Sequence, residues 1–322
     1  MTPVAPTRGR LILAFAAVYL LWGSTYLAIH VAIETLPPFL MAGARHLLAG
    51  ALLFAFARFR GAPAPVARDW LPALVIGGLL LLGGNGGVSW SQQRVPSGLA
   101  ALIVASMPLW MVLMEWLRPG GCGPRKTTML GIALGAVGLA LLVGPGEILG
   151  GSAIDPLGAG VLVLASLSWA LGSLISRAWR GSGSPWLAAS MQMLSGGALL
   201  VVFGLAVGEG ARLDLARVST GSWLAYLYLV VFGSLAGFTA YLWLLGATTV
   251  AKASTYAYVN PVVAVFLGWA FAGEAVTPRV LVAAAIIIAA VVIITAVRPA
   301  RARATSSEPA SSRRPALGSA GR

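Results

Sequence analysis

Ten separate stretches of this 322-residue chain run for about 20 residues with almost no charge, and a run of that kind has few places to fold except a lipid bilayer. Backbone N–H and C=O groups find no water in hydrocarbon, so each run must satisfy its own hydrogen bonds as a helix. The runs are Leu11–Ile33, Pro38–Ala57, Trp70–Ser91, Ser97–Leu117, Thr127–Val143, Pro156–Ser176, Trp186–Val207, Trp223–Leu245, Ala253–Gly273 and Pro278–Val297. Gly and Pro punctuate the junctions, as at Pro37-Pro38, Pro63–Pro65, Gly120–Pro124, Gly144–Gly146 and Gly181–Pro185. The expected fold is therefore all-α and integral to the membrane, with ten transmembrane helices. Composition agrees: 58% of residues are hydrophobic, 10% are charged, and the mean hydropathy of +0.88 exceeds what a soluble core needs. Arg8 and Arg10 before the first run resemble a secretory signal, but that run is too long for one and is followed by nine more, so it is expected to stay as the first helix.

A net charge of +13 raises the question of nucleic acid. The basic residues lie between apolar runs or in the tail, not along one amphipathic face, so they report topology and no nucleic-acid partner is expected. Taken alternately, one set of loops collects Arg8, Arg10, Arg58, Arg60, Arg68, Arg118, Arg125, Lys126, Arg177, Arg180, Lys252 and the six arginines from Arg298 onward. The other set holds only Arg94, Arg212, Arg217 and Arg279. Short cytoplasmic loops are the basic ones, which places both termini in the cytoplasm. The acids Glu34, Glu147, Asp155, Glu209, Asp214 and Glu274 fall on the outer side. Residues 298–322 lack apolar periodicity and are expected to be disordered, serving either as a topology anchor or as a basic strap on anionic lipid.

Catalytic signatures are missing from the sequence: no G-x-S-x-G, no H-E-x-x-H and no phosphate-cradling loop. The lone Cys122 makes no intramolecular disulfide, and His30 and His46 form no cluster, so neither a metal nor another cofactor is expected. The expectation is that the chain is not an enzyme.

The chain repeats itself. At an offset of 147, Trp22 falls on Trp169, Pro38 on Pro185, Arg45 on Gln192 and Gly50–Leu53 on Gly197–Leu200. At an offset of 153, Trp70 falls on Trp223, Gly84 on Gly237, Trp90 on Trp243, Pro108 on Pro261 and Trp116 on Trp269. The chain thus divides into a cytoplasmic N-terminus (1–10), a first repeat (11–146), a second repeat (153–297) and the tail (298–322). Each half holds five spans, an odd number, so the second copy must cross in the opposite sense. Two inverted copies can exchange conformations about a midplane site, the arrangement that alternating access requires.

Within the runs, Arg45 is the one charge placed well inside a span, seven residues beyond Pro38 and so about 10 Å below the outer end. Two readings stand for it: an anchor for an anionic solute group such as a carboxylate, or a guanidinium tying down helix-end carbonyls. Adjacent His46 is a candidate titrating group or a packing residue. Trp22, Tyr26 and Trp169 lie along the first span and its repeat mate, as cavity lining or as ordinary packing. Asn85 sits in Gly83-Gly84-Asn85-Gly86-Gly87, a small-residue packing face or a loosened helix beside a binding amide. Tyr256 and Asn260 occupy the equivalent polar stretch of the ninth span, and Gln192 is the mate of Arg45. Pro108 and Pro261, at related positions, would serve as gating kinks or as kinks that packing tolerates.

Leu21-Trp22-Gly23-Ser24-Thr25-Tyr26, Pro37-Pro38 with Met41-Ala42-Gly43 and Arg45, Gly84-Asn85-Gly86, Val95-Pro96-Ser97-Gly98 and Ser254–Val265 together resemble the EamA branch of the drug/metabolite transporter superfamily, most closely its YedA-like exporters. The resemblance covers all but the ends of the chain. It implies an inner-membrane carrier exporting small metabolites, amino acids or drug-like compounds, with the lipid bilayer and a small-molecule solute as its partners; a homo-oligomer is compatible with it. Such families often end the fourth and ninth spans with an acid. Glu274 fits the second, whereas Gly120-Gly121-Cys122 stands at the first. A membrane enzyme or lipid-handling protein without transport is the alternative reading.

Overall fold

The computed structural model describes residues 7–95, 100, 103–119, 123–143, 155–179, 184–272 and 277–296. Among these the structure is helical: α1 (Arg8–Ile33), α2 (Pro38–Phe59), α3 (Ala67–Ser91), α4 (Met107–Leu117), α5 (Lys126–Val143), α6 (Pro156–Ala178), α7 (Pro185–Ala206), α8 (Thr220–Ala247), α9 (Tyr256–Ala272) and α10 (Pro278–Ala296). Six of them, α1, α2, α3, α6, α7 and α8, are long and apolar enough to cross a bilayer, and α4, α5 and α10 contribute shorter apolar helices. The expected tail, Glu274 and the Gly120–Cys122 stretch lie outside the described residues.

Helix ends fall where the sequence chemistry puts them. Prolines open α2, α6 and α7, where a missing N–H costs nothing. Asp155 caps α6 by accepting from the backbone N–H groups of Leu157 and Gly158. Side chains such as Leu13, Leu27, Leu164, Val202 and Ile288 are exposed, a cost in water and none in hydrocarbon.

The repeat mates α2 and α7 form the most extensive helix pair, brought together by glycines. A methyl group at Gly50 would come within 2.9 Å of Met193 Cβ, and one at Gly43 within 2.9 Å of the Val201 backbone nitrogen. α3 meets α7 backbone to backbone at Gly77 and Gly196. At the periphery α5 and α10 pack on each other through Ile132, Leu139, Ile287 and Ile294.

Two helices change pitch. α3 is π-helical over Gly78–Gly86 and α8 over Leu229–Phe238, at equivalent positions of the two halves. A π-turn leaves carbonyls without their ordinary i+4 partner and often marks a functional site. Here side chains of the repeat-mate helices use them: Trp22 donates its indole N–H to Gly233 O (3.0 Å), and Ser168 donates to Leu79 O (2.7 Å).

Candidate functional site

Beside the π-turns lies a central cavity of about 90 Å³. It is lined from α1 by Trp22, Thr25, Tyr26 and Ile29, from α2 by Arg45 and His46, and from α3 by Gly84, Asn85 and Val88. The remaining wall is Val104 and Met107 near the start of α4, Ala165, Ser166 and Trp169 of α6, Gly233 and Phe238 of α8, and Tyr256 and Asn260 of α9. Seven of the eight residues expected to contact solute, Trp22, Tyr26, Arg45, Asn85, Trp169, Tyr256 and Asn260, converge on this one space. At this size it admits a few waters and falls short of the several hundred cubic ångströms of a drug-sized pocket.

Arg45 dominates the chemistry. Its side chain is 3% exposed, and Nη2 donates to Asn85 Oδ1 at 2.7 Å. Nε and Nη1 have no hydrogen-bond partner, and no carboxylate forms an ion pair with the guanidinium among the described residues. A buried cation with two idle nitrogens is short of an anion, because desolvation is offset only when charge and hydrogen bonds are both met. Asn85 aims the fork, while its glycine neighbours do the packing. A methyl at Gly83 would collide with Ser168 Oγ, and one at Gly87 would reach 3.0 Å from Ala165 Cβ. The segment therefore packs through its glycines while its amide accepts from Arg45. His46 donates from Nδ1 to Ala42 O at 2.7 Å, the assignment a carbonyl acceptor demands.

The same cavity borders an aromatic quartet. Trp22 contacts Trp169, Tyr241 and Tyr256 with ring centroids 5.5, 5.0 and 4.9 Å apart, and Tyr241 contacts Trp169 at 5.7 Å and Tyr256 at 5.4 Å. Trp22 seats on Gly237 and Trp169 on Gly84, the repeat-related glycines of the π-turns. Tyr241 fixes the group by hydrogen bonds with Ser173 Oγ (2.6 Å) and Trp169 Nε1 (3.1 Å). It was not among the residues expected from sequence, since the repeat sets it against Val88. Its spacing of four from Gly237 was the available signal.

Other expected residues are placed differently. Asn260 lines the cavity, but its amide nitrogen, turned toward the neighbouring carbonyls, donates to Tyr256 O (3.0 Å) and Tyr19 O (3.2 Å), fastening α9 to α1. Gln192 is not in this cavity at all; it faces a separate groove at the other end of the molecule. Pro108 sits in the first turn of α4 and so starts that helix, whereas Pro261 lies inside α9. The break in the ninth span falls earlier, at the turn Ser254-Thr255.

A bundle of lipid-facing helices folded around a small, mostly apolar cavity that holds one buried cation, with matched irregular turns in its two halves, is the build of a membrane carrier. Comparison makes the class specific. Residues 9–144 and 156–296 each match the EamA-like transporter family, and the chain belongs to that family. It is 41% identical over 266 residues to the inner membrane transporter YedA of Escherichia coli strain K12, itself uncharacterized, covering 82% of this chain and 83% of that one. The uncharacterized transporter YoaV of Bacillus subtilis is 25% identical over 85% of this chain and 93% of its own, and Protein PecM of Dickeya dadantii 28% identical over 81% and 84%. A protein of known crystal structure with 20% identity superposes with a TM-score of 0.72, covering 89% of this chain and 98% of that one, which concerns the fold.

Proposed function

We propose that this EamA-family transporter is a ten-span secondary carrier of two inverted five-helix repeats that exports small metabolites bearing an anionic group, amino acids or related compounds among them, by alternating access. The membrane is the inner one, as for the inner membrane transporter YedA, with both termini in the cytoplasm following the basic loops. No chemistry on the solute is required of it.

The observation that supports the reading best is the unpaired Arg45 guanidinium inside the central cavity. Its idle Nε–H and Nη1–H groups are unspent donors for an anionic oxygen, and Asn85 holds Nη2 in register. The aromatic wall of the same cavity offers flat apolar surface to the rest of the solute. An export screen of cells expressing the wild-type chain or Arg45→Ala tests it. Medium from wild-type cells is expected to gain one or more small acids or zwitterions that the variant fails to release. Equal release by both makes Arg45 structural and removes the anion from the proposal.

A further inference from the structure

At the end of the bundle where α1 begins, here the N face, a groove of about 990 Å³ runs between α1 on one side and the end of α6 and start of α7 on the other, floored by α8. We propose that this groove is a second solute station, open to the N face and selective for organic anions, and that the quartet Trp22, Trp169, Tyr241 and Tyr256 is the septum dividing it from the Arg45 cavity. The proposal rests on the transport reading above and adds a place where solute waits before crossing.

Polar groups at the groove's lining carry the argument. Gln192 is 1% exposed, its nitrogen donates to Ser176 Oγ at 3.2 Å, and its Oε1 has no partner. Thr239 Oγ1 also has none. An acyl chain filling the groove would leave both orphaned, whereas water or a polar solute satisfies them. Gln192 is moreover the repeat mate of Arg45, so each half presents one hydrogen-bonding side chain from the same position, charged in one and neutral in the other. The idle Gln192 oxygen takes an N–H or O–H donor of the solute, and the unpartnered Thr239 hydroxyl is left to donate to its anionic group. At the mouth stand Arg10 and Arg177. Glu115 pairs with Arg177 at 3.5 Å and is shared with Arg118 at 3.8 Å, so the rim keeps a positive balance. Such a rim raises the arrival rate of anions.

The septum follows from where lining residues stop. On α1 the groove ends at Ala17 and the cavity starts at Trp22; on α6 the cavity ends at Trp169 and the groove starts at Ser176. Trp22, Trp169 and Tyr256 line the cavity at that boundary, and Tyr241, which lines neither space, packs against all three; close-packed rings pass no solute until they part.

Thiol labelling tests the idea without knowledge of the solute. In a Cys122→Ala background, single cysteines replace Thr239 in the groove and Ser166 in the cavity, with Arg60→Cys and Arg212→Cys marking the two faces. Membrane-impermeant methanethiosulfonates, one anionic and one cationic, are applied from each side of vesicles. Thr239→Cys is expected to react from the face that exposes Arg60→Cys, with the anionic reagent favoured by about tenfold over its preference at Arg60→Cys, and with that bias lost in Arg10→Gln/Arg177→Gln. Ser166→Cys is expected to react from that face at least about a hundredfold more slowly, and Tyr241→Ala to recover about tenfold or more of that rate. A Thr239→Cys that stays silent while Arg60→Cys reacts means a lipid-filled groove and overturns the station. Equal rates at Thr239→Cys and Ser166→Cys with Tyr241 intact overturn the septum, and an absent charge bias overturns the selectivity. These readouts need no transport, so failure of the export screen leaves them standing, and their failure beside intact export sinks this proposal alone.

Discussion

At the scale of single residues, Arg45 and Glu209 are, among the described residues, the two buried charges whose partners define their work. Arg45→Lys keeps the charge but gives up the planar fork that serves Asn85 and a carboxylate together. The expected outcome is a rise of about tenfold in the apparent KM for an exported acid, and of about a hundredfold for Arg45→Ala, measured by counterflow in proteoliposomes. Glu209 behaves otherwise. Fully buried, it accepts from the backbone N–H of Leu40 (2.8 Å) and Phe39 (3.3 Å), capping α2 from the opposite half of the chain. Glu209→Ala leaves those donors bare and is expected to cost about 1–3 kcal/mol, read as a lower melting temperature in detergent, with Glu209→Gln losing less. Arg45 was legible because a charge inside an apolar run stands out. Glu209 was legible only as an acid on one side of the membrane; what it caps depends on how a distant helix end folds back beside it.

At the scale of elements, glycine decides which helices touch. Gly196 faces Gly77 so closely that a methyl on it would lie 2.5 Å from Gly77 O, a backbone atom that no rotamer change can move. Gly196→Ala is expected to destabilise by about 1–3 kcal/mol or more. Gly160, with open space around it, serves as the control: Gly160→Ala should be neutral or raise the melting point, as alanine does inside a helix. Sequence patterning placed the helices well, because length and apolarity are local properties. α1, α2, α7 and α10 begin or end within a few residues of the positions read from the chain. The π-turns were foreshadowed only by the glycine run around Asn85, and their counterpart in α8 has just Gly233 and Gly237 to announce it. Pitch is set by what packs against a helix, here Trp22 and Trp169, and no window of one helix contains that information.

At the scale of the whole molecule, the ties between helices are unevenly shared by the two faces. Opposite the N face, Arg94 pairs with Asp155 at 3.0 Å, Ser91 donates to Gly158 O, Thr35 donates to Ser222, and Ser222 donates to Val31 O. Toward the N face the described residues include the Glu115–Arg177 pair across α4 and α6, the Gln192–Ser176 hydrogen bond across α7 and α6 and the Tyr19–Thr255 hydrogen bond between α1 and the turn before α9, with the groove beside them. Loosening the tied face with Asp155→Asn and Ser222→Ala is expected to raise labelling of Ser166→Cys from that side by about tenfold, while unchanged labelling would mean the ties do not hold it shut. Arg94, by hydrogen bonding, holds the Asp155 carboxyl below its usual 3.8. A lowered value stabilises above the ordinary carboxylate range and is lost only as pH falls through it, so labelling of Ser166→Cys from this face, taken as a ratio to Arg212→Cys to remove the pH dependence of the thiolate itself, should be flat from about pH 5 to 8. The placement of Arg45 and Gln192 in separate spaces was not legible either, because the repeat equates the two positions and only the packing of the helices shows which space each side chain lines. The matched π-turns have one more consequence. Each stores slack in the backbone, and drawing one residue of it into the regular α-helix turns everything beyond by about 100° and shifts it by about 1.5 Å. Such a ratchet in α3 would swing Asn85 away from the Arg45 guanidinium, and the same click in α8 would lift the Trp22 indole from its carbonyl.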